Sequence, residues 1–361
     1  MDEGENPGRS ASWSDLLAEL RDLPAMLRGG PGHRGARSYH FDGERFFNPG
    51  ASAGKSWRDV WRWQRTRHPV PWPDWRNTQI ENRMPAKVGA DEIAVTFINH
   101  MTCLIQLPGL TVLTDPVYST RASPVQWAGP RRGHAPGVPF EHLPRIDIVF
   151  VSHNHYDHMD LPTLKRLARA QTPSPLFVTG LGNADFLREQ DIPNVLELDW
   201  WGQATLPNAV LMFTPAQHWS NRGVGRNRTL WGGLWISAGQ RSVYFSGDTG
   251  YSSLFADLRR AHGEPDLALL PIGAYEPRWF MCDQHMNPAE AVRAHVELGA
   301  RSSIGTHFGC FQLTDEGIDE PVMALDLARR EQGVDALAFH APRPGETLWW
   351  RADARGVDVV A

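Results

Sequence analysis

From about residue 92 onward, short apolar runs alternate with turn residues along most of the chain. "EIAVTFIN", "CLIQL" and "TVLTDPVY" predict three successive strands, with "PGL" turning between the last two. "IDIVFVS" predicts a buried strand, and "LPTLKRLARA" beyond it a helix with Leu161, Leu164 and Leu167 on one face. Further strands are predicted over "NVLELDW", "AVLMFTPAQ", "GGLWISA" and "SVYFSGD", the last two joined by "GQ", and then over "PDLALLPIG", "SSIGTH" and "ETLWW". "NPAEAVRAHVELGA" predicts a helix with Asn287 as N-cap and Pro288 at its first position; "PVMALDLARREQ" predicts another. Strand-rich blocks with a few interspersed helices imply two packed sheets flanked by helices, a four-layer αββα sandwich of the α/β (α+β) class.

Residues 1–90 lack this alternation and are rich in Pro, Gly and Arg. They are expected to form an extension, partly helical, packed on or flanking a catalytic domain over 91–361. Trp13, Leu16, Leu17, Leu20, Leu23 and Leu27 recur at helical spacing, Pro24 interrupts them, and Gly29, Gly30 and Gly32 end the pattern. Such a stripe either packs on the protein's own body or touches a membrane or partner.

Composition narrows the function classes. The 361 residues are 41% apolar, enough for a sizeable core. A net charge of −5 argues against nucleic-acid binding, which needs a clustered basic surface. Three cysteines without CxxC spacing imply no disulfide framework and a reducing compartment. The polar start "MDEGENPGRS" does not read as a signal peptide, and no apolar run is long enough to span a bilayer. A cytoplasmic location is expected, with peripheral contact at the inner membrane face as an option. Fifteen tryptophans cluster in "WRDVWRWQ", "PWPDW", "DWWG" and "LWW"; tryptophan serves both cores and amphipathic surfaces.

Candidate chemistry begins at "SHNHYDHMD", directly after a core strand. His153 and His155, at alternate positions, point the same way and can share one ion. Asp157 and His158 follow as the chain turns and face a neighbouring position. Two ions about 3.5–4 Å apart would fit, a separation used to generate and hold a nucleophilic hydroxide. His218, Asp248 and His307 each follow a predicted strand and complete a seven-residue set, with Asp248 in "SGDTG" placed to bridge both ions. Asp115, ending "TVLTD", is placed to orient one of the histidines from behind. His100, His134 and His340 read as surface or hydrogen-bonded histidines instead.

HxHxDH followed by a lone His, a strand-end Asp and a last His resembles the metallo-β-lactamase fold superfamily. The segments "LTDPVYSTRASPVQWAGPRR", "SHNHYDHMD" and "YEPRWFMCDQHMNPAEAV" narrow that resemblance to the N-acyl-phosphatidylethanolamine-hydrolysing phospholipase D family. The resemblance implies one zinc on His153, His155 and His218 and a second on Asp157, His158 and His307, bridged by Asp248. It also implies headgroup contacts by Tyr156 and His285, with Gln284 and Gln126 lining the cleft. Arg278, Arg131 and Arg132 are further candidates for bidentate phosphate binding. Asn99 and Met101 replace small residues usual near the family's cleft.

The implied activity is that of a dinuclear zinc phosphodiesterase, with iron or manganese as alternative metals, releasing N-acylethanolamine and phosphatidic acid through a metal-bridging hydroxide. Its partners would be a phospholipid or other phosphodiester, a membrane surface, no nucleic acid, and a second copy should it dimerise. Rivals are a lactone, thioester or amide hydrolase with the same centre, a nuclease of this fold, and a non-catalytic zinc scaffold. The full ligand set argues against the scaffold.

Overall fold

Alternate side chains of nearly every strand divide between two separate cores. The computed structural model describes residues 30–50, 55–78, 84–223, 225–351 and 357–359. In β1 (Glu92–Asn99), Ile93, Val95 and Phe97 face one apolar cluster and Ile98 another. β2 (Thr102–Leu107), β3 (Leu110–Thr114) and β4 (Ile148–Val151) repeat the division, as the period of two along a pleated strand requires. With β5 (Leu176–Gly180), β6 (Val195–Leu198), β14 (Thr347–Arg351) and β15 (Val357–Val359) they form a sheet ordered β15-β14-β1-β2-β3-β4-β5-β6.

A second sheet, ordered β13-β12-β11-β10-β9-β8-β7, contains β7 (Gln203–Leu206), β8 (Ala209–Thr214), β9 (Gly233–Ala238), β10 (Arg241–Phe245), β11 (Leu267–Pro271), β12 (Ser302–Thr306) and β13 (Phe339–His340). Its inner residues, among them Phe213, Ile236, Phe245 and Leu269, meet those of the first sheet in one buried cluster. Helices cover both outer faces. α2 (Leu161–Ala170) and α3 (Ala184–Glu189) bury Leu164, Leu167 and Leu187 against the first sheet. α4 (Leu254–His262), α6 (Pro288–Leu298) and α7 (Glu320–Gln332) bury Phe255, Val292 and Leu325 against the second, the one-turn α5 (Arg278–Met281) lying between α4 and α6 in the chain. The expected αββα layering is present.

Asn287 caps α6 as expected, accepting from Glu290 N–H while Glu290 accepts from Asn287 N–H. Other elements escaped sequence reading. β7 is short and half-exposed, and β5 is a five-residue apolar run without usable period. α1 (Trp57–Thr66), capped by Ser56, has no fully buried side chain and packs Trp63, partly buried, against Phe280, so it carries no inward apolar stripe. The predicted 13–27 helix lies outside the described residues. The described N-terminal residues are fastened to the body: Phe41 and Phe46 join the inter-sheet core, Arg76 pairs with Asp319, and Trp72 Nε1–H donates to Glu316 O.

Topology places the chemistry. β1, β3 and β4 run the same way, as do β8, β10 and β12, because pairs of antiparallel steps and single parallel ones connect them. Their C-terminal ends release His100, Asp115, His153, His218, Asp248 and His307 in turn.

Candidate metal centre

Two groups of donors meet at Asp248. His153 Nε2 lies 2.7 Å from His155 Nδ1, and His218 Nε2 lies 3.4 Å from the same Nδ1. On the other side, Asp157 Oδ2 lies 3.3 Å from His158 Nε2 and 3.6 Å from His307 Nε2. Asp248 Oδ2 stands 3.9 Å from His153 Nε2, 3.6 Å from His218 Nε2, and 3.1 Å from both His158 and His307 Nε2. All seven sequence-predicted donors are therefore brought together, with the carboxylate of Asp248 between the two groups. Gly247 makes the approach possible: its φ is +60°, and a Cβ there would meet Gly232 O at 2.8 Å.

Burial and charge suit a divalent cation. His158 Nε2 and His307 Nε2, which face Asp157 and Asp248, are buried without a hydrogen-bond partner, an expensive state that a coordinated ion relieves. Burial, helped by neighbouring histidines, pushes His153 well below its usual range and His155 to about 3. Burial opposes ionisation of Asp157 and Asp248, yet His158 beside both, with His307, holds their carboxyls well below the normal range. Burial likewise pulls on His307, but Asp248 and Asp157 outweigh it and raise that imidazole to about 9. His153 and His155 are thus neutral donors beside ionised carboxylates, the chemistry a transition metal takes, while His158 and His307, raised by the same carboxylates, give up a proton to a bound ion.

Supporting contacts fix tautomers. Asp115, fully buried, takes Ser152 N–H on Oδ1 and faces His158 Nδ1 with Oδ2. Gln284 acts through its backbone: its carbonyl faces His218 Nδ1 at 3.0 Å. His285 is 7% exposed, with its ring centroid 5.0 Å from that of His218. Tyr156 lies under the Arg222 guanidinium at 4.4 Å.

Two candidate phosphate binders and one candidate cleft residue are otherwise engaged. Arg278 donates to Glu290 Oε2 at 2.7 Å and to His285 O at 2.9 Å, so it braces the His285 segment. Arg132 is buried and donates to Ser119 O and Val117 O. The Gln126 amide bonds both ways with the backbone of Arg121. Two residues went unassigned in sequence reading: Arg222, whose Nη1 donates to Asn154 O and Met159 O across the HxHxDH loop, and His100, hydrogen-bonded as expected but to Asp157. Strand-end placement after β1 was the available signal for His100.

Fold and site together define a hydrolase of the metallo-β-lactamase type. Residues 111–308 match the family model described as "Beta-lactamase superfamily domain". The chain is 39% identical over 271 residues to N-acyl-phosphatidylethanolamine-hydrolyzing phospholipase D 1 of Caenorhabditis elegans, covering 72% of this chain and 76% of that one. It is 35% identical over 247 residues to the mitochondrial N-acyl-phosphatidylethanolamine-hydrolyzing phospholipase D of Saccharomyces cerevisiae, covering 66% of this chain and 52% of the relative. The isothiocyanate hydrolase from Delia radicum gut bacteria superposes with a TM-score of 0.57 at 21% identity, over 72% of this chain and 99% of that one, a likeness of fold. The chain belongs to the β-lactamase superfamily and, within it, to the family of N-acyl-phosphatidylethanolamine-hydrolyzing phospholipases D.

Proposed function

We propose that the protein is a dinuclear metal phosphodiesterase that hydrolyses N-acyl-phosphatidylethanolamine to N-acylethanolamine and phosphatidic acid. The observation that carries this reading is a seven-donor cluster bridged by Asp248, in a chain 39% identical to a relative named for that activity. His153, His155 and His218 would hold one ion, Asp157, His158 and His307 the other, and Asp248 both. Two zinc ions are proposed, iron or manganese being the alternatives that metal analysis decides. Divalent ions bound there supply acidification of a water towards neutral pH and neutralisation of phosphate charge.

The chain's own groups do the rest. His285 borders the donors and Tyr156 follows His155 in the same loop; they would offer an N–H and an O–H to phosphate oxygens. Arg278 keeps His285 in place through its carbonyl. Water adds to phosphorus, the bond from phosphorus to the ethanolamide oxygen breaks, and that oxygen leaves with a proton as the alcohol. Contact with the lipid is assigned to α1 and the segment beside it. Trp57 is 74% and Trp61 57% exposed, whereas Trp63 of the same cluster stacks on Phe280 at 4.9 Å. Among the described residues no helix is long and apolar enough to cross a membrane, so contact would be peripheral.

Metal analysis of the purified protein beside assays on N-acyl-phosphatidylethanolamine, a lactone panel and a generic phosphodiester tests the reading. Two ions per chain, loss of activity on chelation, and preference for the phospholipid are expected. In ¹⁸O-water the label should enter phosphatidic acid only. Label in the ethanolamide, or lactone hydrolysis without phosphodiester hydrolysis, would reject it.

A further inference from the structure

His100 lies at the turn from β1 into β2, 1% exposed, with φ at +44°. Three of the seven non-glycine residues with positive φ among those described, His100, Asp115 and His307, stand at the metal cluster. Strained backbone of this kind persists where the surroundings over-determine it. His100 Nε2 lies 2.9 Å from Asp157 Oδ2, while its carbonyl accepts His307 N–H at 2.8 Å. Its Nδ1 is buried without a partner, so the proton belongs on Nε2, where it can be donated to the carboxylate. Phe311 edges the ring at 5.3 Å and His307 packs at 4.1 Å, which fixes its direction.

We propose that His100 is a positioning residue for the Asp157–His158–His307 metal position: its Nε2–H holds the Asp157 carboxylate in the orientation that ion needs. The terminal torsion of an aspartate is broad and soft. A free carboxylate would sample rotations that turn Oδ2 away from His158 and His307; one directed hydrogen bond from a packed ring removes them. Groups behind metal ligands contribute in this way. The inference rests on the metal reading above, and direct ligation by His100, whose donor atom lies within 4.8 Å of those of the other three residues, is the competing arrangement.

The test measures the affinity of each ion in the full-length holoprotein by chelator competition, with zinc as the probe, and melting of the metal-free form as the check on folding. His100→Phe keeps ring volume and removes the donor; one ion should weaken about 10–100-fold and the other bind as in wild type. His100→Asn tolerates positive φ but is too short to reach Asp157, and should repeat that loss should the Phe variant not fold. His100→Gln restores an N–H at the right reach and should recover most of the affinity. Both ions binding with wild-type affinity to a folded Phe or Asn variant would overturn the proposal. So would a folded Gln variant as weak as either, the result direct ligation gives. Fewer than two ions in the wild type would reject the underlying metal reading itself, a failure visible before any variant is made.

Discussion

Asp115 Oδ2 lies 2.8 Å from His158 Nδ1, both side chains wholly withdrawn from solvent. Asp115 also takes Ser152 Oγ–H at 2.6 Å, so three hydrogen bonds on its two oxygens hold the carboxylate in place. It fixes Nδ1 as the protonated nitrogen of His158 and leaves Nε2 facing Asp248. Asp115→Asn should weaken one of two bound ions by about 10–100-fold with the fold retained, read by chelator competition. Asp115→Ala should in addition lower the melting temperature, because the Ser152 donors lose their acceptor at about 1–3 kcal/mol each.

Asp248 is the carboxylate that reaches donors of both groups, so its removal should not behave like removal of a terminal ligand. Asp248→Ala should lower metal content at both positions and abolish hydrolysis, whereas His153→Ala should leave the second ion in place. Metal analysis of the two purified variants checks this. Equal stoichiometry in both would mean the two groups bind independently.

The gathering of the seven candidate donors was legible because each follows an apolar strand, and a parallel arrangement must collect such ends at one edge. The layering was legible for the same reason, as strand alternation in β1 to β4 and β8 to β11 sorts residues between cores. Arg222 was not legible. An arginine defaults to the surface, and only the folded chain shows its guanidinium fully buried, held by two carbonyls of the ligand loop. Nor could α1 be read: it is stabilised by Ser56 and by arginines over its tryptophans, and it sets Trp63 against Phe280 without an apolar stripe to mark that face.

Arg222 bears on activity through the loop it brackets. Burial pushes its pKa down to about 10, which still leaves it charged at neutral pH. Arg222→Met should leave the carbonyls of Asn154 and Met159 bare, at about 1–3 kcal/mol each, and loosen the loop that presents His153 to His158. Arg222→Lys should rescue little, because an ammonium has no planar fork to span both carbonyls and lie over Tyr156. A lowered melting temperature of the metal-free protein together with weakened binding of both ions is the expected pair of readings.

Acid should destabilise the protein through buried histidines outside the candidate donor set. Burial lowers His134 and His295 from 6.5 to about 4 each. Between those values the unfolded chain takes up protons that the folded chain refuses. The stability these groups contribute is therefore complete above about pH 6.5 and is lost as pH falls towards 4, at up to about 1.4 kcal/mol per pH unit for each. Urea melts of the metal-free protein at pH 5 and pH 7 should show a smaller difference for His295→Gln than for wild type. An unchanged difference would mean His295 titrates normally.

The route to the lipid can be tested on α1. Arg58, Arg62 and Arg65 lie over Trp57, Trp279 and Trp61 at 5.4, 4.6 and 4.6 Å, pairing cations with amphipathic rings suited to an anionic headgroup layer. Lys55 binds Asp283 and the carbonyl of Trp279, which joins this rim to the segment leading into Gln284 and His285. Because Trp57 and Trp61 both face solvent, Trp57→Ala with Trp61→Ala should leave the melting temperature unchanged. The double variant should sediment poorly with vesicles of N-acyl-phosphatidylethanolamine and anionic lipid, and lose roughly tenfold in activity on them, the equivalent of ~1.4 kcal/mol of apolar contact. Activity on a soluble short-chain phosphodiester should stay at the wild-type level. Parallel loss on both substrates would place the tryptophans in the fold or the cleft and remove them from the membrane contact.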